Sequence, residues 1–204
     1  MFIHSLGPLV VLLVVLEYPS GREPGANEEG IVIAGALPEV LAKIGREANQ
    51  PIGLVWDRHQ TFCNAGIVFR SGDLYGALNA VTRRCPNFTW RRDGRSVFLL
   101  PRQKVKTFLD VKAAAYTLTE ASRMQAADEI VALPEVKAWM KANNISAEQA
   151  YYIHGINPVI THDLSVHLKA VRVHDILDAL ARATGTMTWE IMWHSDSALA
   201  VYPW

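Results

Sequence analysis

Cysteine is scarce in this chain. Its 204 residues contain two, Cys63 and Cys85, too few for a disulfide-built scaffold and without the paired spacing of a metal knuckle. Net charge is missing too, since 20 Lys and Arg balance 20 Asp and Glu. That balance argues against a protein built mainly to bind nucleic acid. No HExxH or CxxC spacing occurs, no Walker-type phosphate loop and no G-x-G-x-x-G turn. The usual sequence signatures of zinc hydrolases, nucleotide hydrolases and dinucleotide enzymes are therefore lacking. No segment is of low complexity. The N-terminal apolar run, Leu6 to Leu16, is shorter than the ~20 residues that span a bilayer.

Half of the residues are apolar, enough for one or two small globular domains. The run Leu6 to Leu16 has the length of a signal-peptide core, and Tyr18-Pro19-Ser20-Gly21 and Pro24-Gly25-Ala26 break it. No Lys or Arg precedes it and no clean small-x-small cleavage site follows, so a buried segment at a domain start is the alternative. Residues 1–30 are expected to be a signal peptide or membrane tether with a linker, placing the protein in the periplasm or cell envelope.

One supersecondary unit occurs twice. Ile67 to Pro101 aligns with Val166 to Pro203 so that Phe69 meets Leu168, Leu74 meets Val173 and Leu78 meets Leu177. In the same register Ala80 meets Ala179, Arg83 meets Arg182 and Trp90 meets Trp189. Each copy opens with period-two alternation, a half-buried strand. Leu74, Ala77, Leu78 and Val81 then fall at i, i+3, i+4 and i+7, as do Val173, Ile176, Leu177 and Leu180, which predicts one apolar helix stripe. Asp73 sits where an N-cap or a first-turn acid would help the first helix. Pro86 and Gly185 end the helices, and a hairpin follows, turned by Asp93-Gly94 in the first copy and Ser195-Asp196 in the second. The unit is strand, helix, hairpin, and such duplication constrains architecture before function.

Ahead of the first copy, Ile31 to Ala34 reads as a strand, Leu37-Pro38-Glu39 opens a helix with Pro in its first turn, and Ile52 to Trp56 is a strand. Phe108 to Leu118 reads as a strand and Thr119 to Asn143 as helix, interrupted at Pro134. Ala132-Leu133-Pro134-Glu135-Val136 repeats Ala36-Leu37-Pro38-Glu39-Val40 letter for letter. Tyr151 to Ile153 and Val159-Ile160 would supply a strand before the second copy. The fold class is α+β. The expected domains are 31–101, a connector and strand at 102–118, and a divergent second domain at 119–204.

The residues Leu74, Ala77, Leu78, Val81 and Trp90, with Val173, Leu177, Leu180, Gly185 and Trp189, resemble the pattern of the secretin and TonB N-terminus short domain, the STN family. LPEVLAKIGREANQPIGLVW resembles that family's first helix and strand. The front half of the second copy departs from the pattern in being longer. The resemblance implies two tandem βαβ-βαββ modules, each with two helices packed between small sheets. It also implies a non-enzymatic periplasmic module that binds an envelope protein, as such domains do ahead of secretin pores and TonB-dependent receptors.

Several side chains are candidates for chemistry. His154, His162, His167, His174 and His194 are concentrated late in the chain. They support a competing reading, a metal-dependent or hydrolytic enzyme, but no ligand spacing or nucleophile motif accompanies them. His167 is expected to face solvent or an adjoining element and His174 to lie on a polar helix side, so no catalytic, metal or cofactor site is assigned. Cys63 precedes a strand that travels roughly 20 Å out, and Cys85 ends a helix that returns roughly 18 Å. A disulfide is one reading and two separate buried thiols the other. Arg83, Arg84, Arg91, Arg92 and Arg95, continued by Arg102, Lys104 and Lys106, form either a solvated face or an electrostatic dock for an acidic partner or an anionic membrane surface. Trp90 and Trp189, like Leu74, Leu78, Val173 and Leu177, are expected in the core. A third reading is a structural spacer. The leading expectation is a protein-binding module whose open sheet edges accept a strand from its partner.

Overall fold

The computed structural model describes residues 30–57, 63–102, 107–145, 164–195 and 198–203. The first half runs β1 (Ile31–Ala36), α1 (Leu37–Ala48), β2 (Ile52–Asp57), β3 (Asn64–Phe69), α2 (Leu74–Arg84), β4 (Phe88–Asp93) and β5 (Ser96–Pro101). The second runs β6 (Lys112–Ala121), α3 (Arg123–Ala132), α4 (Pro134–Ala142), β7 (Leu164–Arg172), α5 (Val173–Ala183), β8 (Thr188–Ser195) and β9 (Ala198–Pro203). The fold is α+β. The apolar run Leu6 to Leu16, the Tyr151–Ile153 and Val159–Ile160 segments, Asp196, Lys104, Lys106, His154 and His162 lie outside the described residues.

Local signals set the helix ends. The Asp73 side chain accepts a 2.8 Å hydrogen bond from the Gly76 amide, satisfying one donor that the first turn of α2 leaves open. Both Leu-Pro-Glu-Val segments place Pro in the first turn of a helix, α1 and α4. Ser122 and Gln125 form a reciprocal capping box at the start of α3. Gly185, with φ of 70°, follows α5 in the left-handed region that favours glycine.

The strands make two antiparallel ribbons, β1–β3 and β6–β7, and one five-stranded sheet in the order β4-β5-β2-β8-β9. β2 lies at the centre, parallel to both β5 and β8, with Ile52 opposite Val97 on one side and Thr188 on the other. Each half contributes its hairpin to this common sheet. Helices α1 and α2 pack between one face and the β1–β3 ribbon, whereas α3, α4 and α5 fill the space between the other face and the β6–β7 ribbon. The layers are ribbon, helices, sheet, helices, ribbon.

Two expectations need correcting. The modules do not stand in tandem, each with a complete pair of sheets; they lie back to back on one sheet. The reason is in β2 and β5. Ile52, Leu54, Val55, Phe98 and Leu99 are completely buried, and Val97 nearly so. Ile52, Leu54, Val97 and Leu99 enter the core with α1 and α2, while Val55 and Phe98 enter the core with α5. A strand buried on both faces needs a layer on each. The second correction is the boundary at residue 118. β6 runs through it to Ala121 and pairs with β7 as β1 pairs with β3, so it opens the second half rather than connecting to it. Thr119 to Ala121 are strand, and the helix starts at Arg123.

Candidate functional site

The repeat survives as chemistry. In the first half the Trp90 indole N–H donates to Asn79 Oδ1 at 2.9 Å. At the equivalent positions of the second half Trp189 donates to Asp178 Oδ1 at 2.7 Å. Each bond ties the first hairpin strand to the preceding helix, but the two environments differ. β4 is an edge strand of the central sheet and β8 an inner one. Trp189 is therefore fully buried, whereas Trp90, expected in the core, is only half-buried and stacks on the exposed Tyr75 ring at 5.4 Å. Leu78, Val173 and Leu177 are fully buried, and Leu74 is half-buried at the start of α2.

Around Trp189 a polar chain crosses the interior between the halves. Ser96 Oγ, on β5, lies 2.7 Å from Asp178 Oδ2 and 2.9 Å from His174 Nδ1, both on α5. Burial pushes the Asp178 carboxyl up to about 6, against the opposing pull of the bonds from Trp189 and Ser96. His174 is 2% exposed, not on a polar helix side as expected. The β4–β5 hairpin covers it, bringing the Phe98 ring to 5.9 Å. Burial holds its pKa below the usual imidazole value, with Asp175 and Asp93 pulling the other way. Its Nε2 has no hydrogen-bond partner. That atom is 3.8 Å from Asp93 Oδ2, which Arg172 Nη1 contacts at 2.6 Å. Asp110, from the segment before β6, completes the surroundings and bonds Arg91 Nη2 at 3.1 Å.

Asp93, Asp110 and His174 are the one group of three potential metal-ligating side chains that converge among the described residues. Sequence reading missed it because its members lie on a hairpin, a connector and a helix. One signal was present. His174, Asp178 and Ala181 recur at i, i+4 and i+7 beside the apolar stripe and are all buried. They widen the buried arc of α5, as a helix with neighbours on several sides requires. His167 is exposed on β7, whereas His174 is buried on α5.

The arginine cluster does not form one surface. Arg91 and Arg92 are adjacent on β4 and so project to opposite faces of the sheet. Arg91 lies over the Phe98 ring at 4.7 Å and pairs with Asp110. Arg92 bonds the Tyr75 hydroxyl at 2.7 Å and the Gly94 carbonyl at 2.8 Å on the α2 side. Arg83 and Arg84 are exposed in the last turn of α2 and Arg95 in the hairpin turn. Arg91 is thus paired with an acid on one face, while Arg92 bonds only neutral groups on the other, so the cluster is divided between two faces of the sheet. Cys63 and Cys85 form a disulfide with Cα atoms 5.6 Å apart, joining the start of β3 to the end of α2.

The two ribbons present unlike outer surfaces. On β1–β3, Val32 pairs with Val68 and Ala34 with Gly66, all exposed; the valines are 74% and 64% exposed. Neither strand carries a charged residue. The β6–β7 ribbon exposes Lys112, Thr117, His167 and Lys169 instead. No helix among the described residues is long and apolar enough to cross a membrane. No family model, curated protein or solved structure matches the chain.

Proposed function

We propose that this is a non-enzymatic, STN-like protein-binding module of the cell envelope, and that the β1–β3 ribbon receives an extended segment of an envelope protein partner. The observation that carries the reading is the bare ribbon. Among the described residues β1 and β3 pair only with each other, so each keeps an open edge. Exposed strand edges are ordinarily blunted by charge, proline or cover. The β6–β7 ribbon follows that rule with Lys112 and Lys169, whereas IVIAGA and NAGIVF contain none of these devices. An added strand would gain main-chain hydrogen bonds at the edge and apolar contact with Val32 and Val68. The disulfide ties down β3 from the side of α2, which reduces the ordering cost of docking there.

The test is capture from envelope fractions with the wild-type chain and with a Val32→Lys, Val68→Lys variant. A partner held by the wild type and lost by the variant supports the reading. Failure to capture any specific protein, or equal capture by both, refutes it.

A further inference from the structure

His174 has the geometry of a metal ligand held ready. A serine hydroxyl has one hydrogen. Ser96 Oγ donates it to Asp178 Oδ2 at 2.7 Å, since an ionised carboxylate can only accept, as its other oxygen does from Trp189. Towards His174, therefore, Ser96 Oγ can only accept, and Nδ1 carries the imidazole hydrogen. Asp175 Oδ1, 3.3 Å from the same Nδ1, is a second acceptor for it. Nε2 is left with a bare lone pair. That lone pair faces the carboxylates of Asp93 and Asp110, and the three ligand atoms lie within 4.8 Å of one another. Three acceptors converge; the two carboxylates also accept from Arg172 and Arg91, while the third belongs to a buried side chain with no partner. Such an atom forfeits its solvation without return unless a proton, a water or a cation occupies the space, and two carboxylates beside it favour a cation.

We propose that His174 Nε2, Asp93 and Asp110 bind one divalent transition cation of the zinc class at the junction of the two halves. An imidazole with two carboxylates suits such an ion better than an all-oxygen cation. The 3.8 Å between His174 Nε2 and Asp93 Oδ2 is near the separation of two ligands on one ion at bond lengths of about 2.1 Å. Asp110 is exposed, so the site opens to solvent on its side; both of its oxygens accept from Arg91 Nη2, at 3.1 and 3.3 Å, and binding the ion would have that carboxylate share or exchange this partner. The Nδ1–H to Ser96 contact is the outer-shell bond that fixes the tautomer of a ligating histidine. Three carboxylates, Asp93, Asp110 and Asp175, face two guanidiniums, Arg91 and Arg172, leaving a local negative charge for the ion to neutralise. Its ligands come from the first hairpin, the connector and α5, so the ion would clasp the two halves together.

The experiment is a competition titration of the full chain with Zn²⁺ against a chromophoric chelator, repeated with Asp110→Asn and His174→Gln. The expected result is one equivalent bound by the wild type, with affinity at least ~10-fold lower in Asp110→Asn and the one-equivalent site lost in His174→Gln. Zn²⁺ should also raise the thermal midpoint of the wild type and not that of His174→Gln. Asp110 is an exposed side chain, so its substitution keeps the test valid if His174→Gln fails to fold. No binding by the wild type, or unchanged affinity in Asp110→Asn because other histidines hold the ion, overturns the proposal.

Discussion

Replacing Gly53 with alanine probes the junction between the halves with one methyl group. Gly53 lies in the middle of β2, directly opposite Trp189 on β8. A Cβ placed there would overlap Cζ2, Cη2 and Cε2 of the Trp189 six-membered ring. The ring is fully buried, it lies 6.1 Å from the Phe98 ring, and its N–H is held by Asp178. Overpacking of this kind costs about 1–3 kcal/mol. If the indole swings away, its bond to a carboxylate is lost as well, about 1.5–3 kcal/mol more. The expected loss is therefore about 1–3 kcal/mol if the indole holds its place and about 2.5–6 kcal/mol if it moves. The sign is informative, because Gly→Ala at an unstrained, open site stabilises by about 0.4–1 kcal/mol. Urea unfolding of Gly53→Ala, Trp189→Leu and the double variant forms a complete cycle. With the indole gone, alanine should be nearly neutral, giving a coupling above about 1.5 kcal/mol. A neutral or stabilised Gly53→Ala in the wild-type background would refute the packing of β2 on β8.

Two further outcomes are expected. Glu190 is 3% exposed, and burial raises its pKa from 4.5 to about 7, while the Trp56 N–H bond lowers it. The folded state therefore holds this proton where the unfolded state has released it. Stability falls as pH rises through that interval by roughly 3 kcal/mol. Glu190→Gln should remove this fall and be the more stable protein at pH 8, as read by denaturant midpoints; a variant that keeps the wild-type pH profile contradicts it. The disulfide closes a sequence separation of 22 residues, for which chain entropy gives about 3 kcal/mol. Cys63→Ser, Cys85→Ser should lose about that much in urea unfolding under oxidising conditions, and an unchanged midpoint would show that the bridge does not constrain the unfolded chain.

The elements that were legible in the sequence are those set by local signals. The stripes of α2 and α5, the Asp73 cap and the paired Leu-Pro-Glu-Val starts are all readable within a dozen residues. What was not legible depends on partners distant in the chain. IGLV in β2 and VFLL in β5 do not alternate, and that continuity was the available sign of a strand covered on both faces. It does not say which second layer covers them. The same limit hid the candidate metal site, since Asp93, Asp110 and His174 are brought together only when the first hairpin packs against α5. Arg91 and Arg92 show the reverse error. Neighbours in sequence looked like one patch, but strand geometry sends them to opposite faces.

The shared central sheet is best examined by solution NMR of the full chain. Backbone proton contacts between Gly53–Leu54 on β2 and Trp189–Glu190 on β8 should appear together with those between β2 and β5, and the amides of all three strands should be protected from hydrogen exchange. Contacts between β2 and β5 alone, with the β8 amides exchanging freely, would contradict a single sheet joining the two halves.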